Sequence, residues 1–291
     1  MRGNFRGGSA PGSQRVGNRV PAAISWRFRR TGWRVANITV QDVALEIAEA
    51  GSGPPLLLLH GIAGPLGGTP VFRALAPHAR VVAPSHPGYG GSPLPDWIDR
   101  IDDLAFLYLD LIEAMGLSEV CLVGCSFGGW VAAEMAVKST QRLKRLVLVN
   151  SFGIKIGDRE SRDIPDIFAL HPDEVSKLIW HDRKLAPDIA AMSDEAVERM
   201  VRDQEAAALY LWEPYMHNPK LRRWLHRIDV PTLLLRGAHD GLVSPPLAQA
   251  MADAIPGARL ETIAGAGHAP EFEQPHILAE RLERFLGLVG A

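Results

Sequence analysis

The chain has 291 residues, 47% of them hydrophobic, which suffices for a large buried core as one domain or as a core with an inserted lobe. Charged residues make up 22% and the formal net charge is -2, so the whole-chain balance argues against a nucleic-acid or membrane-surface partner. No apolar run approaches the ~20 residues of a membrane span, and two cysteines, Cys121 and Cys125, are too few for a four-ligand zinc site. Four apart on one strand-and-turn segment, they are not expected to pair, which fits a reducing, cytoplasmic setting.

The charge is uneven. Residues 1–36 hold eight arginines and no Asp or Glu, leaving roughly -10 for the rest. The first 22 residues are rich in Gly, Ser, Pro and Asn, with little to bury, and 1–35 is expected to be a disordered basic extension. It reads as a solvated tail, as from a misplaced start codon, as an organelle transit peptide, or as a nucleic-acid-binding tail. Arg29-Arg30 is a poor export signal, because Thr31-Gly32-Trp33-Arg34 follows in place of an apolar run.

Val35–Val40 and Val43–Ala48 alternate as a strand pair joined at Gln41-Asp42. After the turn Gly51-Ser52-Gly53-Pro54, the continuous apolar run Leu56–Leu59 marks a strand buried on both faces of a parallel sheet. Val81–Ala83 is a further buried strand. Asp102–Met115 is a helix, its apolar positions Leu104, Leu107, Tyr108, Leu111 and Ile112 recurring at helical spacing. Val120–Val123 is a strand, Phe127–Lys138 a helix, and Leu146–Val149 and Thr232–Leu235 are strands. Ser244–Ile255 is a helix, Arg259–Ile263 the last strand and His276–Leu286 the closing helix. This alternation predicts an α/β fold with a mostly parallel sheet and helices on both faces. Residues 152–217 lack a convincing strand and read as an inserted helical cap, with Phe152, Ile167, Phe168, Trp180, Met192, Tyr210, Trp212 and Tyr215 on its apolar inner face. The core is then 36–151 and 218–291.

Gly124-Cys125-Ser126-Phe127-Gly128 matches G-x-S-x-G. A strand runs straight into it and a helix straight out, the setting in which a sharp turn exposes a strained serine at the carboxyl end of a parallel strand. A serine capping the helix is the plainer alternative. A serine hydroxyl needs a base, and of ten histidines His268 stands out in the loop Gly265-Ala266-Gly267-His268-Ala269-Pro270 beyond the last strand. The base needs a carboxylate. Asp240 follows the strand Thr232–Leu235 in a loop, whereas the end of the preceding strand carries Asn150.

In the order Ser126, Asp240, His268, and with Leu59-His60-Gly61, Pro87-Gly88-Tyr89-Gly90-Gly91-Ser92 and Gly237–Asp240, the chain resembles the α/β-hydrolase superfamily over about 36–291, in its serine-nucleophile branch with a helical cap. The resemblance implies Ser126 as nucleophile, His268 as base, Asp240 as orienting acid, and the backbone amides of Phe127 and Ile62 as oxyanion hole. His60, Trp130, Phe152 and Trp180 are expected to line the pocket. Relatives that open epoxides or remove halide carry Asp in place of Ser126. Relatives that cleave carbon–carbon bonds of ring-fission products often carry Trp where Ala269 stands. The expected activity is hydrolysis of a carboxylic ester of a small-to-medium, largely apolar molecule, with no metal or organic cofactor. Carbon–carbon, lactone or amide hydrolysis, perhydrolysis on the same residues, and a non-catalytic ligand-binding role are the alternatives.

Overall fold

The computed structural model describes residues 32–289 and the backbone of residues 27–28. Nine strands form one sheet: β1 (Arg27–Phe28), β2 (Arg34–Val40), β3 (Val43–Ala50), β4 (Pro55–Leu59), β5 (Arg80–Pro84), β6 (Val120–Cys125), β7 (Leu143–Val149), β8 (Thr232–Gly237) and β9 (Arg259–Ile263). Their order is β1-β2-β3-β5-β4-β6-β7-β8-β9. The first strands are antiparallel, and every pairing from β5 onward across to β9 is parallel. The basic extension expected over 1–35 lies largely outside the described residues. Its end is a correction: Arg27 and Phe28 pair with Val35 and Arg34, so sheet structure begins before residue 36.

Helices α1 (Pro70–Leu75), α2 (Ile101–Ala114) and α3 (Phe127–Lys138) precede β7. Helices α4 (Pro172–Ile179), α5 (Asp194–Leu211) and α6 (Leu221–Trp224) lie between β7 and β8, and α7 (Pro245–Asp253), α8 (Pro270–Glu273) and α9 (Pro275–Leu286) follow β8. The two faces of the sheet build two cores. One gathers Leu104 and Leu111 of α2, Val131 of α3 and Leu247 of α7 onto Leu57, Leu59 and Leu122. The other sets Phe72 of α1 and Leu282 of α9 on Leu56, Leu58 and Val123. Successive side chains of a strand point to opposite faces, and Leu56–Leu59 are all buried because both faces are covered.

Residues 152–217 contain helices and short turns and no strand beyond the isolated bridge Gly153–His217. That bridge, with the Asn218 N–H on the Gly153 carbonyl at 2.8 Å, brings the two ends of the segment together. Phe152 and Tyr210 are buried, and Ile167, Phe168 and Tyr215 pack against the core. Trp212 departs from the expected inner face. It is 56% exposed and meets only the rims of Phe168 and Tyr215 in ring contact.

The turn from β6 into α3 is tight enough to forbid side chains at its flanks. A Cβ on Gly124 would overlap the Gly128 carbonyl, and one on Gly128 would overlap the His60 carbonyl at the end of β4. Both obstructions are backbone and cannot rotate away. Gly128→Ala should therefore destabilise the fold by about 3 kcal/mol or more. In Gly257→Ala the added methyl meets nothing and only a left-handed backbone at φ 69° is strained, so the cost should stay near 1 kcal/mol. Thermal melts of the two variants check this; equal losses would refute the packing account.

Candidate active site

Ser126 joins β6 to α3 with φ 54° and ψ -123°, a conformation that L residues rarely adopt. It occupies the N-cap position, yet its hydroxyl caps no helix N–H. The hydroxyl instead donates to His268 Nε2 at 2.8 Å. His268 Nδ1–H points at both carboxylate oxygens of Asp240, at 3.0 and 3.1 Å. These three residues, 142 and 28 positions apart in sequence, form one hydrogen-bonded chain. Each is buried, at 4%, 5% and 6% exposure for Ser126, His268 and Asp240.

Asp240 Oδ1 accepts the N–H groups of Leu242 and Val243 at 2.8 and 2.9 Å, which fixes the carboxylate against the imidazole. The loop carrying it is tied from behind by Arg236. That guanidinium donates to the carbonyls of Val243, Asp240 and Ala238. Asn150, where the sequence lacks an acid, holds two loops together. Its NH2 donates to the Gly267 carbonyl at 2.9 Å and its oxygen accepts from Gly237 N–H at 2.8 Å. It bridges the loops of Asp240 and His268, and a carboxylate could not donate to the Gly267 carbonyl. Neither Arg236 nor Asn150 carries a motif that betrays this role in the sequence.

Burial alone would lower the basicity of His268. The Asp240 carboxylate, and behind it Glu271 and Glu273, outweigh this and hold the imidazole above its ordinary 6.5. Glu271, on α8, is buried, and burial raises its carboxyl to about 7. Its Oε2 has no hydrogen-bond partner among the described residues.

Phe127 is the first residue of α3, and the first N–H groups of a helix have no acceptor within it. The loop after β4 passes against the serine, since a Cβ on Gly61 would collide with Ser126 Cβ. Phe152 stacks on His268 with centroids 6.3 Å apart and also meets Trp130. Trp130 donates to Glu134 at 3.3 Å. Trp180 packs on Phe272 of α8, at the seam between the insertion and the core.

His60, expected in the pocket, lies beneath the loop instead. Its Nδ1–H donates to the Gly61 carbonyl at 2.8 Å and its Nε2 accepts His86 N–H at 2.9 Å. His86 in turn donates from Nε2 to the His60 carbonyl at 2.9 Å and accepts Tyr108 Oη–H at Nδ1, at 2.5 Å. The two rings pack at 4.0 Å between Tyr89 and Phe127. This is a buried prop for the Gly61–Ile62 loop; burial lowers the basicity of both imidazoles, and a second proton on His60 would face the His86 N–H. The sequence hid it, since His60 and His86 are 26 residues apart.

A groove of about 640 Å³ lies at the root of the insertion, lined by residues of 154–164 and 215–219; none of Ser126, Asp240 or His268 lines it. Among the described residues no group of three or more His, Cys, Asp or Glu could hold a metal ion. No helix among them is long and apolar enough to cross a membrane.

A model of the Alpha/beta hydrolase family matches residues 56–281, and the chain belongs to that family. It is similar to the 2-hydroxymuconate semialdehyde hydrolase of Pseudomonas sp. strain CF600, with 26% identity over 278 residues, 87% of this chain and 91% of the relative. Among solved structures it is similar to a variant of the meta-cleavage product hydrolase from Pseudomonas fluorescens IP01, with TM-score 0.71 and 21% identity over 86% of this chain and 97% of the other. The enol-lactonase from Burkholderia xenovorans LB400 gives TM-score 0.69 and 24% identity over 86% and 99%.

The buried prop should be visible in solution. Burial holds His86 at about 4 against 6.5, so between these values the unfolded chain binds a proton that the folded one does not. Stability is full above pH 6.5 and falls as pH drops, by about 3 kcal/mol at pH 4 from His86 alone. His86→Gln removes the titrating ring and should flatten that decline. Melting curves between pH 7.5 and 4.5 measure it, and an unchanged slope in the variant would remove His86 as its source.

Proposed function

We propose that the protein is a serine hydrolase that cleaves a carboxylic ester of a small-to-medium, largely apolar substrate through an acyl-enzyme. The observation that carries this is the hydrogen-bonded chain from Ser126 Oγ through His268 to Asp240 on a strained strand–helix turn. Ser126 Oγ attacks the carbonyl carbon while His268 Nε2 takes its proton, and Asp240 stabilises the imidazolium. The amides of Phe127 and Ile62 receive the oxyanion. The tetrahedral intermediate collapses by breaking the ester C–O bond, and the departing alcohol takes the proton from His268. Water then attacks the acyl-enzyme, gives a proton to His268, and Ser126 leaves with that proton as the acid product forms.

Trp130, Phe152 and Ile154 supply buried apolar surface beside His268 and the root of the insertion, which supports an apolar acyl group. Carbon–carbon hydrolysis of a ring-fission product is the second reading, favoured by the similarity to the 2-hydroxymuconate semialdehyde hydrolase. Two features weigh against it. Ala269 follows His268, and Arg183, Lys184, Arg199 and Arg202, cationic side chains of the insertion that would favour an anionic substrate if they faced inward, are all exposed. No cofactor enters either scheme. A helical cap over 152–217 and a cytoplasmic setting belong to the same proposal.

A fluorophosphonate probe should label the wild type and spare Ser126→Ala; equal labelling would take Ser126 out of the site. Asp240→Asn should fold and lose roughly 10⁴ in turnover through the wrong imidazole tautomer. An activity within tenfold of wild type would assign the acid role elsewhere. Because the neutral imidazole is the base and its neighbours hold it above 6.5, the acidic limb of kcat/KM should lie above pH 6.5. Across p-nitrophenyl esters kcat/KM should climb from acetate with acyl length and then fall as the closed pocket fills. Strong turnover of a carboxylated dienone with poor turnover of every neutral ester would replace the ester reading with carbon–carbon hydrolysis.

A further inference from the structure

Leu178–Asp182 of the helical insertion meets the two loops that carry Asp240 and His268. The Leu178 carbonyl accepts Gly241 N–H at 3.0 Å, next to Asp240. The Ile179 carbonyl accepts the N–H of His268 itself at 2.7 Å. The His181 ring stacks on His239 at 3.8 Å, and Trp180 packs on Phe272. One carboxylate joins the two sides. Glu273 Oε1 accepts His181 N–H and Asp182 N–H at 2.8 and 2.9 Å, and its Oε2 accepts Gly267 N–H at 2.6 Å. Glu273 is 9% exposed; its bond to Gly267 is buried and those to His181 and Asp182 are partly buried.

We propose that Glu273 is a positioning residue that clamps Leu178–Asp182 to the loop of His268, so that the base is held in its working orientation while this edge of the insertion is seated. None of the three N–H groups belongs to a strand ladder or a helix interior. Three donors from two chain segments need an acceptor with lone pairs on two oxygens and no hydrogen of its own, which a carboxylate is and an amide is not. The clamp acts one residue from His268, and small displacements of a base are costly in rate. The charged or titratable groups around the imidazole are Asp240, Glu271 and Glu273, with Ser126 on the far nitrogen. The proposal rests on the reading of His268 as the base.

The test compares Glu273→Gln with Glu271→Gln, which removes a neighbouring carboxylate without touching the clamp. E273Q should lower kcat by about 10²-fold, with KM changed far less, and move the acidic limb of kcat/KM down. E271Q should move the limb in the same direction without that loss in kcat. In E273Q the far-downfield Nδ1 proton resonance of His268 should weaken or shift, a readout that needs no substrate. In the wild type, hydrogen exchange at His181, Asp182 and Gly267 should be slow and rise together. The proposal is overturned if E273Q keeps its kcat and its His268 resonance, if E271Q loses as much kcat, or if those three amides exchange freely in the wild type. The exchange measurement stands even should E273Q fail to fold. A wild type that neither reacts with fluorophosphonate nor hydrolyses esters, yet shows the protected amides and the downfield proton, would fail the hydrolase reading and leave the clamp intact.

Discussion

The strained backbone of Ser126 is the constraint on which the rest of the structure depends. A residue held at φ 54° between a strand and a helix costs of order 1–3 kcal/mol and persists only where its surroundings over-determine it. Here they do. β6 is locked between β4 and β7, its residues all buried, and α3 packs its glycines onto the ends of β4 and β6. The turn has no room to relax, so the hydroxyl is delivered to the carboxyl edge of the sheet.

Everything else at that edge is arranged to meet it. The loops after β8 and β9 bring Asp240 and His268, and each is braced from behind: Arg236 holds the Asp240 loop, Asn150 ties the two loops together, and Glu273 holds the loop of His268. The loop after β4 rests on the His60–His86–Tyr108 prop. Loops are the mobile parts of an α/β fold, and their precision here comes from buried polar groups with several bonds each rather than from regular secondary structure. This explains why so many charged and polar side chains, Glu273, Arg236, Asn150 and His86 among them, are buried within one region.

The insertion between β7 and β8 joins this arrangement unevenly. At Leu178–Asp182 it shares hydrogen bonds with the loops of both Asp240 and His268. At α5 it holds the 87–90 loop through Tyr210 Oη on the Pro87 carbonyl and, more weakly, Asp203 on Gly90 N–H at 3.3 Å. Partial burial raises the Asp203 carboxyl from its ordinary range. The two edges therefore differ in kind. One is hydrogen-bonded to the loops of Asp240 and His268 and the other to the 87–90 loop.

By itself the sequence determined the sheet and its helices, because unbroken apolar runs such as Leu56–Leu59 and the 3.6-residue pattern of 101–114 are local consequences of burial on two faces and on one stripe. It also determined the elbow, since only glycine can stand at 124 and 128. Asp240 was legible from its place after the buried strand β8, and His268 from the glycine-rich loop beyond β9. Only the tertiary structure decided what braces them. Asn150 reads as an absent acid, His60 as a pocket residue, and Glu273 carries no motif at all until chain segments 26, 87, 91 and 117 residues distant close around them. Short helices such as Pro70–Leu75 and Pro270–Glu273 also escaped, being too brief to show a period. Periodicity records which face of an element is buried. It carries no information about which distant backbone N–H or carbonyl a buried polar side chain will meet, because that is set by how the loops pack after the sheet has formed.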